Sequence, residues 1–168
     1  AKDISPQDKG TFKKNIYDKI NNEIIDKYVT QPPEVEHYQN IEKIIEASRT
    51  HKSILNDGEL KFGIAQKLLN LYLKYLWCAG FIAEPPHFPV DRIIQIKLGY
   101  GKKLVKWTTM SRTEYENFME YSKLLLMNLK EIESLAQLEL HYYQRRLYRT
   151  TGKDEELNQA IKLIKKWL

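Results

Sequence analysis

The run Glu59-Leu60-Lys61-Phe62-Gly63-Ile64-Ala65-Gln66-Lys67-Leu68-Leu69-Asn70-Leu71-Tyr72-Leu73-Lys74-Tyr75-Leu76-Trp77-Cys78 decides the fold. Leu60, Ile64, Leu68, Leu71 and Tyr75 recur at helical spacing and mark one face. Ala65, Leu69, Leu73 and Leu76 widen it, which squeezes the polar groups into a strip of Lys67, Asn70 and Lys74 with Gln66 alongside. Asn56 is a plausible cap with Glu59 three residues on, and Gly80 stands where the helix should end. A helix this apolar must be covered by others. The chain is therefore expected to be an all-α single-domain bundle of six or seven helices, spanning 1–168, with the 59–78 helix at its centre.

Working outward, Ser5-Pro6-Gln7-Asp8 reads as a helix start, with Ser5 capping, Pro6 in the first turn and Asp8 at the positive end of the dipole. Phe12, Ile16, Ile20 and Ile24 then form an amphipathic stripe, with Ile25 and Tyr28 beside it. Gln31-Pro32-Pro33 ends that segment and Pro33 opens the next, whose inner stripe is Val35, Tyr38, Ile41, Ile45 and Ser48. Glu84-Pro85-Pro86-His87-Phe88-Pro89 can be neither helix nor central strand and is a rigid connector. A short helix follows over about 90–97. Ser111-Arg112-Thr113-Glu114 matches a capping box. The apolar seam from Tyr115 slips beyond Ile132, which predicts a break near Glu131 to Ser134 and a fresh start at Ser134-Leu135-Ala136-Gln137. Gly152 is expected to end that helix, and Asp154 to cap a last one lined by Leu157, Ile161, Ile164 and Leu168.

The charge is unevenly spread. There are 27 basic and 22 acidic residues, a net +5. Arg92 to Thr113 holds Arg92, Lys97, Lys102, Lys103, Lys106 and Arg112 with no acid. Leu140 to Lys153 holds Arg145, Arg146, Arg149 and Lys153, again with no acid. The rest of the chain is net acidic, so an oriented field is expected, with nucleic acid its commonest target. Between these basic residues stands Gly99-Tyr100-Gly101-Lys102-Lys103-Leu104-Val105. Two glycines one residue apart permit a tight turn whose backbone amides, next to a helix N-terminus, can hold a phosphate.

This stretch, about Asp91 to Met110, resembles the helix-hairpin-helix motif, which grips DNA backbone phosphates without reading bases. Tyr100 occupies the apolar position between the glycines, and Val105 the small apolar position four residues after the second. Leu98 stands where that motif has a proline. The resemblance implies phosphate contacts from the Gly99 and Gly101 amides and from Lys102, Lys103 and Lys106. Glycosylases built on this motif carry a catalytic aspartate about twenty residues beyond the hairpin. Here that region holds Glu114, Glu116 and Glu120 instead, so no such chemistry is expected.

In the second basic stretch His141, Arg145 and Arg149 share a helix face, and with Arg146 and interleaved tyrosines they could extend a DNA or RNA surface. They equally suit a helix C-terminus paired with acidic neighbours. The Lys67, Asn70, Lys74 strip is either the solvent side of a central helix or the lining of a cleft that receives an anion. His87 and Asp91 could form an acid–base pair, although Asp91 reads better as a helix cap. No metal-ligand spacing, phosphate-binding loop or nucleophile motif occurs, so neither metal nor cofactor is expected. A single cysteine, Cys78, excludes a disulfide framework and reads as a buried, inert thiol. No run is long enough for a membrane span and no signal-peptide core follows the N-terminus, which points to the reducing cytoplasm.

Two functions are expected from these features. The leading expectation is non-enzymatic binding of a nucleic-acid backbone. The alternative is a helical protein-interaction module or accessory subunit, suited by eleven Tyr and three Trp, with Trp167 a candidate anchor. An enzyme using the Lys67, Asn70, Lys74 strip with His87 and Arg92 is a third class. A contiguous basic surface favours the first, an exposed apolar-aromatic patch the second, and a closed pocket with converging polar groups the third.

Overall fold

A computed structural model describes residues 4–143 and 152–165. The protein is all-α: the described residues contain seven α-helices and no strand. These are α1 (Pro6–Glu23), α2 (Glu34–Ser48), α3 (Phe62–Cys78), α4 (Arg92–Lys97), α5 (Arg112–Leu126), α6 (Leu135–Tyr142) and α7 (Gly152–Ile164), with short 3-10 turns between them. α2 packs on both α1 and α3, and α5 packs on α3, α6 and α7.

Several helix starts are set by local chemistry. Ser5 Oγ accepts from the Asp8 N–H at 3.0 Å. Ser111 and Glu114 form the full capping box of α5. Asp91 caps α4 by accepting from the Ile94 N–H at 3.0 Å. α5 ends at Leu126, ahead of the expected break near Glu131 to Ser134, and Ser134 Oγ then caps α6 at 3.1 Å from the Gln137 N–H. Gln137 itself accepts from Glu133, one residue before the cap, so this capping box is incomplete.

Other boundaries differ from expectation. α3 begins at Phe62, not Glu59. Glu59 is drawn to Arg49 at 2.6 Å, and the Leu60 N–H donates to Ser48 Oγ at 2.9 Å, so neither joins the helix. α6 stops at Tyr142, where Tyr143 turns extended, and Gly152 and Asp154 lie inside the first turn of α7. In α2, Val35 is exposed and Ile45 only half-buried, while Ile44 and the polar His37 and Asn40 are fully buried. Cys78 is exposed near the end of α3 and is not the buried thiol expected.

The largest correction concerns the orientation of α3. Ala65, Gln66, Leu69, Asn70 and Leu73 are fully buried, while Leu68, Leu71 and Tyr75 are exposed. The polar strip thus faces the interior and part of the apolar stripe faces out. The connector over 84–91 explains the inward polarity. It is buried backbone without helical or sheet hydrogen bonds, so its polar groups need side-chain partners. Gln66 supplies them, donating from Nε2 to the Val90 carbonyl at 2.8 Å and accepting from the Val90 N–H at 3.1 Å. Gln95 grips Val105 in the same two-handed way, at 3.0 and 2.9 Å.

Candidate functional site

The exposed side of α3 forms a groove with α1. Both helices pack on α2 and hardly on each other, leaving a channel of about 550 Å³ between them. Its floor is Ile16, Ile20 and Ile64, and its walls include Tyr17, Leu68, Leu71 and Tyr75. At one end Tyr72 donates a hydroxyl hydrogen bond to Asn21 Oδ1 at 2.8 Å and meets Tyr17 edge-on, tying α1 to α3. At the other end Phe12 and Trp107 close it. The charged side chains that line it, among the described residues, are Lys13 and Lys67.

Gly63 sets the Trp107 end. A Cβ there would lie 1.8 Å from the Trp107 carbonyl oxygen, so only glycine lets the 3-10 turn at Trp107–Thr109 sit on α3. The Gly63 N–H also donates to the Met110 carbonyl at 3.0 Å. Lys67 Nζ lies 4.3 Å above the Trp107 ring and 3.2 Å from Asp91 Oδ2, which holds the indole in place.

The Lys67, Asn70, Lys74 strip is an internal brace. Lys74 donates to Glu139 Oε2 at 2.6 Å, and burial pushes the Glu139 carboxyl upward against the pull of Lys74. Asn70 Nδ2 donates to the Tyr115 hydroxyl at 2.9 Å. Both lysines therefore already hold carboxylates, and the strip ties α3 to α4, α5 and α6, with Lys67 alone of the three also lining the α1–α3 groove.

His87 lies beside that brace. Its Nε2 is 2.8 Å from Glu34 Oε1 and its Nδ1 is 3.1 Å from the Tyr115 hydroxyl. A carboxylate only accepts, so Nε2 carries the proton and Nδ1 accepts from Tyr115. The hydrogen bond from His87 and then Lys123 hold the Glu34 carboxyl down at about 2, against its desolvation. His37 is fully buried, 4.8 Å from His87 between ring centroids, with its Nδ1 2.7 Å from the Tyr28 hydroxyl. Burial lowers the pKa of both imidazoles, that of His37 well below the usual value. His37 Nε2 and Asn70 Oδ1 are the buried side-chain atoms without a hydrogen-bond partner among the described residues. The crevice beside His87 has no room for a water molecule. His87 thus pairs with Glu34, not Asp91, and through Glu34 and Lys123 the network reaches the surface. Sequence spacing gave no hint of Glu34 or Lys123 in this role.

The glycines of the 99–105 stretch do adopt the left-handed backbone, with φ +74° at Gly99 and +61° at Gly101. Their setting differs from the motif. The Gly99 and Tyr100 N–H groups close the end of α4 on the Ile96 and Gln95 carbonyls, both at 3.0 Å. Tyr100 is buried against Phe118 and Tyr121. Only 3-10 turns at Gly101–Lys103 and Trp107–Thr109 follow the glycines, and the next α-helix begins at Arg112, so no second α-helix adjoins the turn as the motif requires. Lys102, Lys103 and Lys106 are exposed and, with Arg92 and Lys97, have no ion pair among the described residues. Arg112 is instead held by Glu42 and Glu116. Arg145, Arg146, Arg149 and Trp167 lie outside the described residues.

Sequence reasoning placed Leu68, Leu71 and Tyr75 on the bundle's inner face and so missed the groove. The available signal was excess: α3 carries more apolar width than one buried face uses. Comparison of the chain with known protein families, curated proteins and solved structures finds no match. Among the described residues no helix is long and apolar enough to cross a membrane, and no group of three or more His, Cys, Asp or Glu is placed to hold a metal ion.

Proposed function

We infer that this domain is a protein-interaction module whose docking surface is the α1–α3 groove. The observation that carries the reading is the exposed apolar-aromatic wall of Tyr17, Leu68, Leu71 and Tyr75 above a buried floor. Leaving that much contiguous apolar surface in water is unfavourable unless a partner covers it. Aromatic residues at the centre of a concave surface are the usual anchors of protein association. The crevice beside His87 does not compete with this reading, because it has no room for a ligand. The test is parallel affinity capture on wild-type and Leu71→Glu protein, followed by titration of each purified candidate. A partner whose affinity falls at least about tenfold with Leu71→Glu supports the module. Indistinguishable affinities for the two proteins overturn it.

A second reading keeps one observation of its own. Arg92, Lys97, Lys102, Lys103 and Lys106 are cations without ion-pair partners among the described residues, on a segment pinned by Gln95 and Tyr100. Such a segment suits contact with nucleic-acid phosphates, with affinity falling steeply as salt rises. Fluorescence anisotropy with labelled DNA and RNA decides it. Loss of binding in Lys102→Glu/Lys103→Glu supports the reading, and absence of wild-type binding at low salt ends it.

A further inference from the structure

We propose that the occupant of the groove is an amphipathic helix of about three turns, from another protein, carrying acidic residues beside its apolar stripe. The proposal rests on the interaction-module reading and adds the chemistry of the partner.

The groove's form selects a helix. α1 and α3 lie side by side with the same direction, since Phe12 lines the groove together with Trp107, whose turn packs on Gly63 at the start of α3, and Asn21 meets Tyr72 further along. Two helices held apart on a third leave a helix-shaped channel, and a fourth helix laid into it would complete a bundle layer. α3 contributes from Ile64 to Tyr75, which at 1.5 Å per residue is roughly 16 Å, or about three turns. The walls are side chains rather than an exposed strand edge, so an extended peptide would find no main-chain partners along it.

The groove's charge selects acidity. Lys13 and Lys67 are the charged side chains among the lining residues, and no acid lines the groove among those described. Lys13 is exposed and has no ion pair among the described residues, so it is free to receive a carboxylate. Lys67 already serves Asp91 and positions Trp107. The groove's shape argues against a second copy of this chain. Pairing groove to groove would set one hollow against another and leave both unfilled.

The experiment uses the intact chain and two fluorescein-labelled helical peptides of about fifteen residues with identical leucine stripes, one flanked by glutamate and one by lysine. Binding is read by anisotropy on the wild type, Lys13→Glu, Leu71→Glu and Tyr75→Glu, with circular dichroism confirming that each variant is folded. The expected result is binding of the glutamate peptide about tenfold tighter than the lysine peptide, weakened by salt. Lys13→Glu should cancel or reverse the preference, and Leu71→Glu and Tyr75→Glu should abolish binding of both. Equal binding of both peptides overturns the acidic partner while leaving the module reading standing. Binding of neither peptide overturns the helix. If wild-type protein then sediments as a dimer that Leu71→Glu dissociates, the groove belongs to a second copy, and if it sediments as a monomer the capture titration alone judges the module.

Discussion

The two sides of α3 invert the usual division between core and surface. Toward the interior it presents Gln66 and Asn70, both fully buried; toward solvent it presents Leu68, Leu71 and Tyr75. The inner polar groups are used: one glutamine closes the hydrogen bonds of Val90, and one asparagine holds Tyr115, which in turn holds His87. No such use exists for the outer leucines. Polarity inside is explained by the irregular backbone packed there, and apolarity outside is what the proposed docking surface would use. Amphipathicity therefore reports what a face touches, and that need not be water or core.

The comparison is broken most severely at Gly63. Gly63→Ala drives a methyl group into the Trp107 carbonyl and forces the turn off α3. The expected loss is about 3 kcal/mol, seen as a lower urea midpoint with a shift in tryptophan emission. Gln66→Ala is next. It strands the Val90 N–H and carbonyl in the interior. Equilibrium unfolding should show a loss of about 2 kcal/mol. Were Gln66 as replaceable as an exposed residue, the inner face would not be a brace.

The buried imidazoles give a pH dependence of definite sign. His37 and His87 both titrate lower in the folded than in the unfolded chain, so the unfolded state binds more protons as acidity rises. Stability should be full above about pH 6.5, the unfolded histidine value, and decline as pH falls below it, by up to about 1.4 kcal/mol per pH unit for each histidine. The lowered Glu34 adds a second decline below its unfolded value of 4.5, continuing toward about 2. Urea midpoints between pH 8 and pH 5 measure the first window, and His87→Gln should flatten the slope. A flat wild-type profile would mean that the histidines are not held neutral by burial.

The smallest expected effect sharpens the contrast most. Leu71→Lys and Tyr75→Lys place charge on the outer face of the same helix, and stability should change by no more than about 0.5 kcal/mol. The groove should nevertheless lose binding of an uncharged apolar dye such as Nile red. A loss of several kcal/mol would show that the outer face belongs to the core after all.

Much of the frame was legible in the residues themselves. Ser5, Asp91 and the Ser111–Glu114 pair act locally, within a turn of their own helix, and each caps as its chemistry predicts. The slip of the seam after Ile132 located the start of α6, but not the end of α5, which comes earlier at Leu126. The side of α3 that faces inward was not legible, because a helix apolar nearly all round has no unique buried face. Its choice is made by partners far away in sequence: Val90, Tyr115 and Glu139. The glycines at 99 and 101 were read as a tight turn, and both take positive φ, but their use is set by the conformation of the residues after them. After a single 3-10 turn Leu104 leaves extended, and the next α-helix waits until Arg112, so the pair ends one α-helix without starting another.

The separation of α1 from α3 has a dynamic corollary. With α2 as its main support, α1 should be among the first elements to open, and its amides should exchange with deuterium earlier than those of α3. A guest seated in the channel would bridge the two helices and slow that exchange. Binding would then be recorded as protection spread along α1, including positions the guest never touches, and the element that is loosest alone would become the most sensitive reporter of occupancy.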